Sequence, residues 1–514
     1  MPVPGRLVRG VTMGDLFANL YTGFSVSLSL TNIFYCFVGV FIGTLIGVLP
    51  GIGPVATISI LLPSTFHLNP VTGVIMLAGI YYGAQYGGST TSILLKIPGE
   101  ASSVITVLDG YEMARQGRAG PALGIAAFGS FIAGTISTFG LAIVAPPLAS
   151  LALRFGAPEY ATLMFLGLVT AIFLGQRSML KSLAMVILGL ILATFGRETV
   201  TGFPRFTMGV YEIEDGLGFI PIIMGLFGIS EVLLNVEEKL TQQLFAKGKI
   251  AGLLPSLQDW GRSIFPILRG SVVGFLLGVL PGGGAVLGSL TAYTIEKKVS
   301  RTPEKFGTGM IEGVAGPEAA NNAASQGAFI PLLCLGIPCN VIMALLIGAL
   351  MIHGVQPGPL TMTKNPDLFW GTITSMYTGN LLLLVLNLPL IGLWVRILKV
   401  PYGILYPLIL LFCIIGAFSL NNSIFEIYLT IFFGVLGYIM RKVDYEAAPL
   451  VLAFVLGPLF EDSLRQALLI SRGDFMVFFN RPLSLFFLLA GLALIAMPLI
   501  PFVQKKIRKL PAAS

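Results

Sequence analysis

Apolar runs of membrane-spanning length recur along most of the chain, separated by short polar stretches rich in Gly and Pro. A helix needs about 20 such residues to cross the hydrocarbon core of a bilayer. The pattern predicts an apolar pair at 32–49 and 51–66 broken at Pro50-Gly51, then a span at 70–87. A polar-rich hairpin at 88–108, broken at Pro98-Gly99, comes next, followed by spans near 123–147, 157–175, 179–196 and 219–236. The second half repeats this order with a pair at 266–281 and 283–296, a hairpin at 328–352, and spans near 368–396, 401–418, 423–440 and 446–466. A further helix is predicted at 484–503. Asp15 to Ser29 is amphipathic and lacks the continuous apolar core of a cleaved signal peptide, so it reads as an interfacial helix.

The two halves match in wording as well as in order. GVLPG at Gly47 to Gly51 returns at Gly278 to Gly282, 231 residues later. Ile97-Pro98 answers Ile337-Pro338, Gly120-Pro121 answers Gly358-Pro359, and Pro221 answers Pro449. Four matches in order, at offsets between 228 and 240 residues, indicate a duplicated unit. The chain therefore divides into an N-terminal extension and interfacial helix (1–31), a first repeat (32–236), a cytoplasmic linker (237–265), a second repeat (266–470) and the extra helix at 484–503.

If each broken pair enters and leaves on one side, each copy holds an odd number of crossings and the copies insert in opposite directions. Charge agrees with that trace, which puts most of the 31 Lys and Arg on the cytoplasmic side. These include the run Lys297, Lys298, Arg301, Lys305 and the tail Lys505, Lys506, Arg508, Lys509, whereas the loop matching the run, Thr65 to Thr72, has no basic residue. Arg6 and Arg9 are the exceptions. The expected fold is an all-α polytopic membrane protein with two inverted repeats, broken helices and re-entrant hairpins, and about 12 or more membrane segments. In that fold 303–327 must cross, although hydropathy does not select it. Its Glu312, Glu318, Asn321 and Asn322 are tolerable there only if sheathed by protein or lining an aqueous cavity.

Composition narrows the function. Of 514 residues 55% are apolar and 11% charged, and the mean hydropathy is +0.88, against roughly 25% charged in a soluble domain. The net charge of +7 is spread over loops, which is a topology signal and not a nucleic-acid surface. Cys36, Cys334, Cys339 and Cys413 lie in apolar surroundings and read as buried thiols, and no His stands near Cys334 and Cys339 to complete a metal site. GGGAVLGSL lacks the Lys of a P-loop, and HExxH and GxSxG are absent, so the chain reads as a non-enzyme without cofactor whose energy source is an ion gradient.

Broken helices place unpaired backbone N–H groups and a positive dipole end at membrane depth, which suits an anion. Four breaks fit: Pro50-Gly51-Ile52-Gly53, Pro281-Gly282-Gly283-Gly284, Pro98-Gly99 and Pro338-Cys339, the last continued by Asn340. Ser89, Thr90, Thr91 and Ser92 set four hydroxyls in a row, either as packing glue between helices or as a carboxylate- or Na⁺-binding patch. Their counterpart region carries Asn321, Asn322, Ser325 and Gln326. Lys96 either offers a cation to an anionic substrate, with Glu100 as a partner, or snorkels to the interface. A coupling Na⁺ is expected near Gly51, Ser89, Gly282, Asn322 and Ser325, while Glu318 keeps a proton in play. His67 and His353 read as loop histidines without function.

The strings GVLPGIGPVATISILLP (Gly47 to Pro63), YYGAQYGGSTTSILLKIPGEASSV (Tyr81 to Val104), DGYEMARQGRAGPALG (Asp109 to Gly124) and EGVAGPEAANNAASQGAFIPLLCLGIP (Glu312 to Pro338) resemble the large membrane subunit of the tripartite tricarboxylate transporters, the TctA type. The resemblance covers nearly the whole chain. It implies a bacterial inner-membrane permease working with a small four-helix membrane subunit (TctB type) and a periplasmic solute-binding protein (TctC type). It also implies Na⁺-coupled uptake of citrate-like or other organic carboxylates by an elevator-like movement. The segment through Thr12 departs from the family pattern, and Cys339-Asn340 in place of Gly99-Glu100 bears on substrate choice. A self-sufficient carboxylate carrier and a non-transporting membrane scaffold are the rival readings.

Overall fold

The computed structural model describes residues 13–49, 53–173, 178–198, 201–237, 252–280, 284–397 and 402–497. Pro50, Gly51, Pro281, Gly282, Gly283, the extension through Thr12, most of the expected linker and the basic tail lie outside them. The helices are α1 (Met13–Ser27), α2 (Leu30–Val48), α3 (Pro54–Leu61), α4 (Pro70–Leu95), α5 (Thr106–Arg115), α6 (Ala119–Ala152), α7 (Ala157–Ile172), α8 (Met179–Ala193) and α9 (Phe219–Glu237). There follow α10 (Leu257–Val279), α11 (Gly284–Val299), α12 (Glu312–Gly327), α13 (Val341–Ile352), α14 (Pro366–Asn387), α15 (Ile391–Ile397), α16 (Tyr402–Asn421), α17 (Ile424–Lys442), α18 (Ala447–Ile470) and α19 (Pro482–Ala496).

Among the described residues, seven helices are long and apolar enough to cross a membrane: α2, α6, α9, α10, α14, α17 and α18. The protein is a helical polytopic membrane protein. Two expected boundaries move. The Ser256–Asp259 capping box starts α10 at Leu257, well before residue 266. The hydroxyl run does not open the first hairpin at 88, because α4 runs unbroken through it to Leu95. Within 303–327, the part from Glu312 onward forms α12, buried from Gly313 to Gly327, so protein replaces lipid around its polar side chains.

The chain forms two compact units, residues 1–153 with 218–442, and 154–217 with 443–514. In the first, glycines bring helix backbones together. A Cβ on Gly39, Gly43 or Gly47 of α2 would run into the carbonyl oxygens of Met76, Ile80 and Ala84 of α4. A Cβ on Gly270, Gly274 or Gly278 of α10 would run into those of Gly316, Ala320 and Ala324 of α12. Both partners rise together in each set, so α2 runs parallel to α4 and α10 parallel to α12. The glycines of the two sets are 231 residues apart and their partners 240 apart, repeating the offsets of the sequence matches.

Between the two pairs the sense reverses. Ser89 meets Glu318, Gln85 meets Asn321 and the tilted rings of Tyr81 and Phe329, the latter just past the end of α12, lie 6.5 Å apart, so α4 and α12 cross antiparallel. At one end of this unit the buried Asp109 accepts hydrogen bonds from the backbone of Gly307, Gly309 and Met310 at 2.9, 2.8 and 2.7 Å and from the Tyr293 hydroxyl at 3.0 Å. Asp109→Ala leaves three N–H groups without acceptors. The expected cost is about 3 kcal/mol of local stability, read as roughly a hundredfold faster amide exchange at 307–310.

In the second unit, Gly189 of α8 abuts the backbone of Leu450 in α18. A two-residue antiparallel ribbon pairs β1 (Gly196–Arg197) with β2 (Pro204–Arg205), and Arg205 bonds Glu461 at 2.8 Å. Glu159 caps the start of α7 and receives Arg481 at 3.1 Å.

Candidate functional site

Each of the antiparallel helices α4 and α12 belongs to a broken hairpin. The first leads out of α4, which ends at Lys96 in the left-handed conformation (φ 61°), and Glu100 then caps the returning turn at φ −152°, ψ 167°. The second follows α12 and ends at Gly336 (φ 72°), with Asn340 capping α13 at φ −152°, ψ 174°. Positions 240 residues apart thus adopt the same backbone, a glycine in one break and a lysine in the other. Left-handed geometry costs a non-glycine residue about 1–2 kcal/mol, so Lys96 is held there by its surroundings.

Each hairpin cap is touched by the other half. Asn321 of α12 donates to Glu100 at 3.1 Å, and Asn340 donates to the Tyr81 hydroxyl of α4 at 3.4 Å. Tyr81 and Asn321 are themselves matched positions, as are Glu100 and Asn340. The Asn340 bond thus brings the second tip against α4, the helix from which the first tip departs.

Around the first tip, Glu100 takes the Ser102 backbone N–H at 3.0 Å and its hydroxyl. Gln85 turns its amide nitrogen to both Glu100 carboxyl oxygens, at 2.8 and 2.9 Å, and to the Asn321 carbonyl oxygen at 2.8 Å. The reverse orientation would set oxygen against oxygen. Lys96 does not pair with Glu100. It is exposed and its ammonium sits 5.5 Å from the centre of the Tyr111 ring.

One step along α12, Glu318 is fully buried. It accepts from Ser89 at 2.5 Å and from Thr106, which clasps the outgoing and returning limbs of the first hairpin to α12. No Lys or Arg appears among its described hydrogen bonds. Asn322 donates to Ser130 of α6 at 2.6 Å, and its own carbonyl oxygen has no partner among the described residues. Beside Ser89 a small cavity is lined by Tyr86 and Thr90 of α4, Ser130 of α6 and Asn387 at the end of α14, with Leu123, Ala126, Ala127 and Ile391 on its apolar side.

The four consecutive hydroxyls do not make one patch, because each residue of a helix turns about 100° from the last. Ser89 serves Glu318, Thr90 lines the cavity, Thr91 donates to the Val48 carbonyl at 3.0 Å, and Ser92 to Ser103 at 2.9 Å. Ser325 bonds back to Asn322 in its own helix. Pro98 and Pro338 stand in the two tips, and Gly99 is wedged against Gly47 and Gly88. Gly53 opens onto free space, whereas Gly284 abuts Leu277 and Gly278.

Pattern reading missed Gln85, Ser102, Thr106, Ser130, Tyr81, Tyr86 and Asn387. The G-x-x-x-G ladders were the signal for the helix approach that brings several of them together. All four cysteines are buried and none forms a disulfide.

The family model for the tripartite tricarboxylate transporter TctA family matches residues 33–452. The chain is 53% identical over 494 residues, 96% of its length and 98% of the relative's, to an uncharacterized 52.8 kDa protein in the TAR-I ttuC' 3' region of Agrobacterium vitis. It is 54% identical over 233 residues, 45% of its length and 96% of the relative's, to an uncharacterized protein in the TAR-II ttuC' 3' region of the same organism. No solved structure matches the chain.

Proposed function

The chain belongs to the tripartite tricarboxylate transporter TctA family, a family of membrane transporter components, and from that premise we propose that it is the large permease subunit of a binding-protein-dependent carrier. It takes up tricarboxylates or related organic carboxylates across a bacterial inner membrane, driven by a cation gradient, with Na⁺ as the coupling ion. Its partners are a small four-helix membrane subunit and a periplasmic solute-binding protein.

The observation that carries this reading is the reciprocal contact of the two hairpin caps, Glu100 with Asn321 and Asn340 with Tyr81. A scaffold needs no such exchange of polar tips at a helix crossing, whereas a carrier that closes around a guest does. Inverted repeats are supported by the antiparallel crossing of the matched helices α4 and α12 together with the parallel pairing inside each half. An elevator-type movement is supported by the division into units that each draw on both halves of the chain. The carboxylate is held at the two tips, with exposed Lys96, at the start of the first break, as a cation available to it.

The test is uptake of labelled citrate and other di- and tricarboxylates into proteoliposomes, with and without the two partner subunits and across an imposed Na⁺ gradient. Uptake is expected only with the binding protein present and Na⁺ outside. Ser89→Ala and Asn322→Ala are each expected to lower it about tenfold or more. Uptake without the partners would leave a self-sufficient carrier, and no uptake of any carboxylate would remove the reading.

A further inference from the structure

We propose that the cavity beside Ser89 is the binding site of one dehydrated monovalent cation of sodium size, with Tyr86, Ser89, Thr90, Ser130 and Asn387 as its oxygen ligands. The inference deepens the coupling reading above and adds ligands from α6 and α14 that no motif indicated.

Four features of the cavity carry it. The first is orphaned buried oxygen: Tyr86 Oη and Asn387 Oδ1 have no hydrogen-bond partner among the described residues, while the Asn387 amide nitrogen is already committed to the Leu383 carbonyl at 2.9 Å. Buried polar atoms are rarely left so without a guest. The second is the direction of the neighbouring hydrogen bonds. Ser89 gives its proton to Glu318, and Ser130 receives the Asn322 amide, so both oxygens keep a lone pair to offer. The third is size, since the space admits about one water-sized guest, too little for a carboxylate or a hydrated ion.

The fourth feature is charge, which favours a cation over a water. The Glu318 carboxyl lies one hydroxyl behind the cavity, and its field reaches Tyr86. Glu100, the other acid whose field it feels, has the same sign. A buried carboxylate without a cationic partner is costly to ionise. A cation in the cavity favours its ionised form, and a neutral water does not. Neutral, hard oxygen ligands suit an alkali cation, and among the described residues no group of three His, Cys, Asp or Glu side chains offers a site for a transition metal.

The experiment follows Na⁺ binding by the full-length chain in lipid nanodiscs, using radioactive sodium and thermal unfolding at constant ionic strength balanced with choline. Sodium is expected to raise the unfolding midpoint saturably and potassium to do so far less. Thr90→Val, nearly the same size, is expected to weaken half-saturation about tenfold or more while leaving the midpoint in choline unchanged; Ser130→Ala is expected to weaken half-saturation as much and also to lower the choline midpoint, because it leaves the buried Asn322 amide without its acceptor. Tyr86→Phe, which removes only an unpartnered hydroxyl, gives the same loss without disturbing a hydrogen bond.

A sodium response absent in the unsubstituted chain, matched by potassium, or unaltered in all three variants overturns the site. If that happens while carboxylate uptake persists, the cation site falls and the transport reading stands. Sodium binding that is lost in the variants of a chain that never moves a carboxylate keeps the site and removes the transport reading.

Discussion

Glu318→Gln is expected to cut carboxylate uptake at least about a hundredfold, equivalent to about 2.7 kcal/mol, while the protein stays folded and monodisperse. The amide has the shape of the carboxyl, and Ser89 and Thr106 can each turn a hydroxyl to accept from it or donate to it. The clasp between α12 and the two limbs of the first hairpin therefore survives, and what is lost is an ionisable group in a fully buried place. Initial uptake rates in proteoliposomes, with thermal unfolding as the control for folding, separate the two. Rates within about threefold of the unsubstituted protein would show that the carboxyl is merely a hydrogen-bonding post.

The second large effect is on the fold. Gly274→Leu is expected to remove most folded protein from the membrane, a loss of about 3 kcal/mol or more. Its first added carbon would lie 2.6 Å from the Ala320 Cα and 2.7 Å from the Ala320 carbonyl carbon. These are backbone atoms of α12, so relief requires the two helices to part. Parting them would displace Asn321 from Glu100 and Glu318 from Ser89. Gly261, in the first turns of the same helix α10, meets nothing within 4 Å, and Gly261→Leu serves as the harmless counterpart. Fluorescence-detected size exclusion of the two variants, solubilised from equal membranes, reads the difference. Equal monodisperse peaks would mean that the glycine ladder tolerates bulk and does not set the helix approach.

Both effects depend on crossings that differ in how plainly they are written in the chain. The ladders Gly39-Gly43-Gly47 and Gly270-Gly274-Gly278 are a visible period of four, and small residues at that spacing allow close backbone contact. Their partners are less visible, since α4 and α12 are sheathed in protein and carry polar residues that hydropathy penalises. That is why hydropathy does not select 303–327 as a crossing, and yet its helical part, Glu312–Gly327, is buried from Gly313 onward. Asn321 and Asn322 were legible as candidates, but their separate destinations, Glu100 and Ser130, were not.

The amino-acid sequence alone determined the class of protein, the matched strings and their offsets, the positions of the breaks at Pro98-Gly99 and Pro338-Cys339, and the family. Each follows from local composition or from one stretch compared with another. Tertiary structure decided which oxygens meet: Gln85 with Glu100, Ser89 and Thr106 with Glu318, Tyr81 with Asn340, and Tyr86 with Asn387 around one cavity. The helical turn of about 100° per residue scatters neighbours such as Ser89 to Ser92 in different directions. Groups distant in sequence share a site only where helices cross, and the crossing is set by backbone contact between segments hundreds of residues apart.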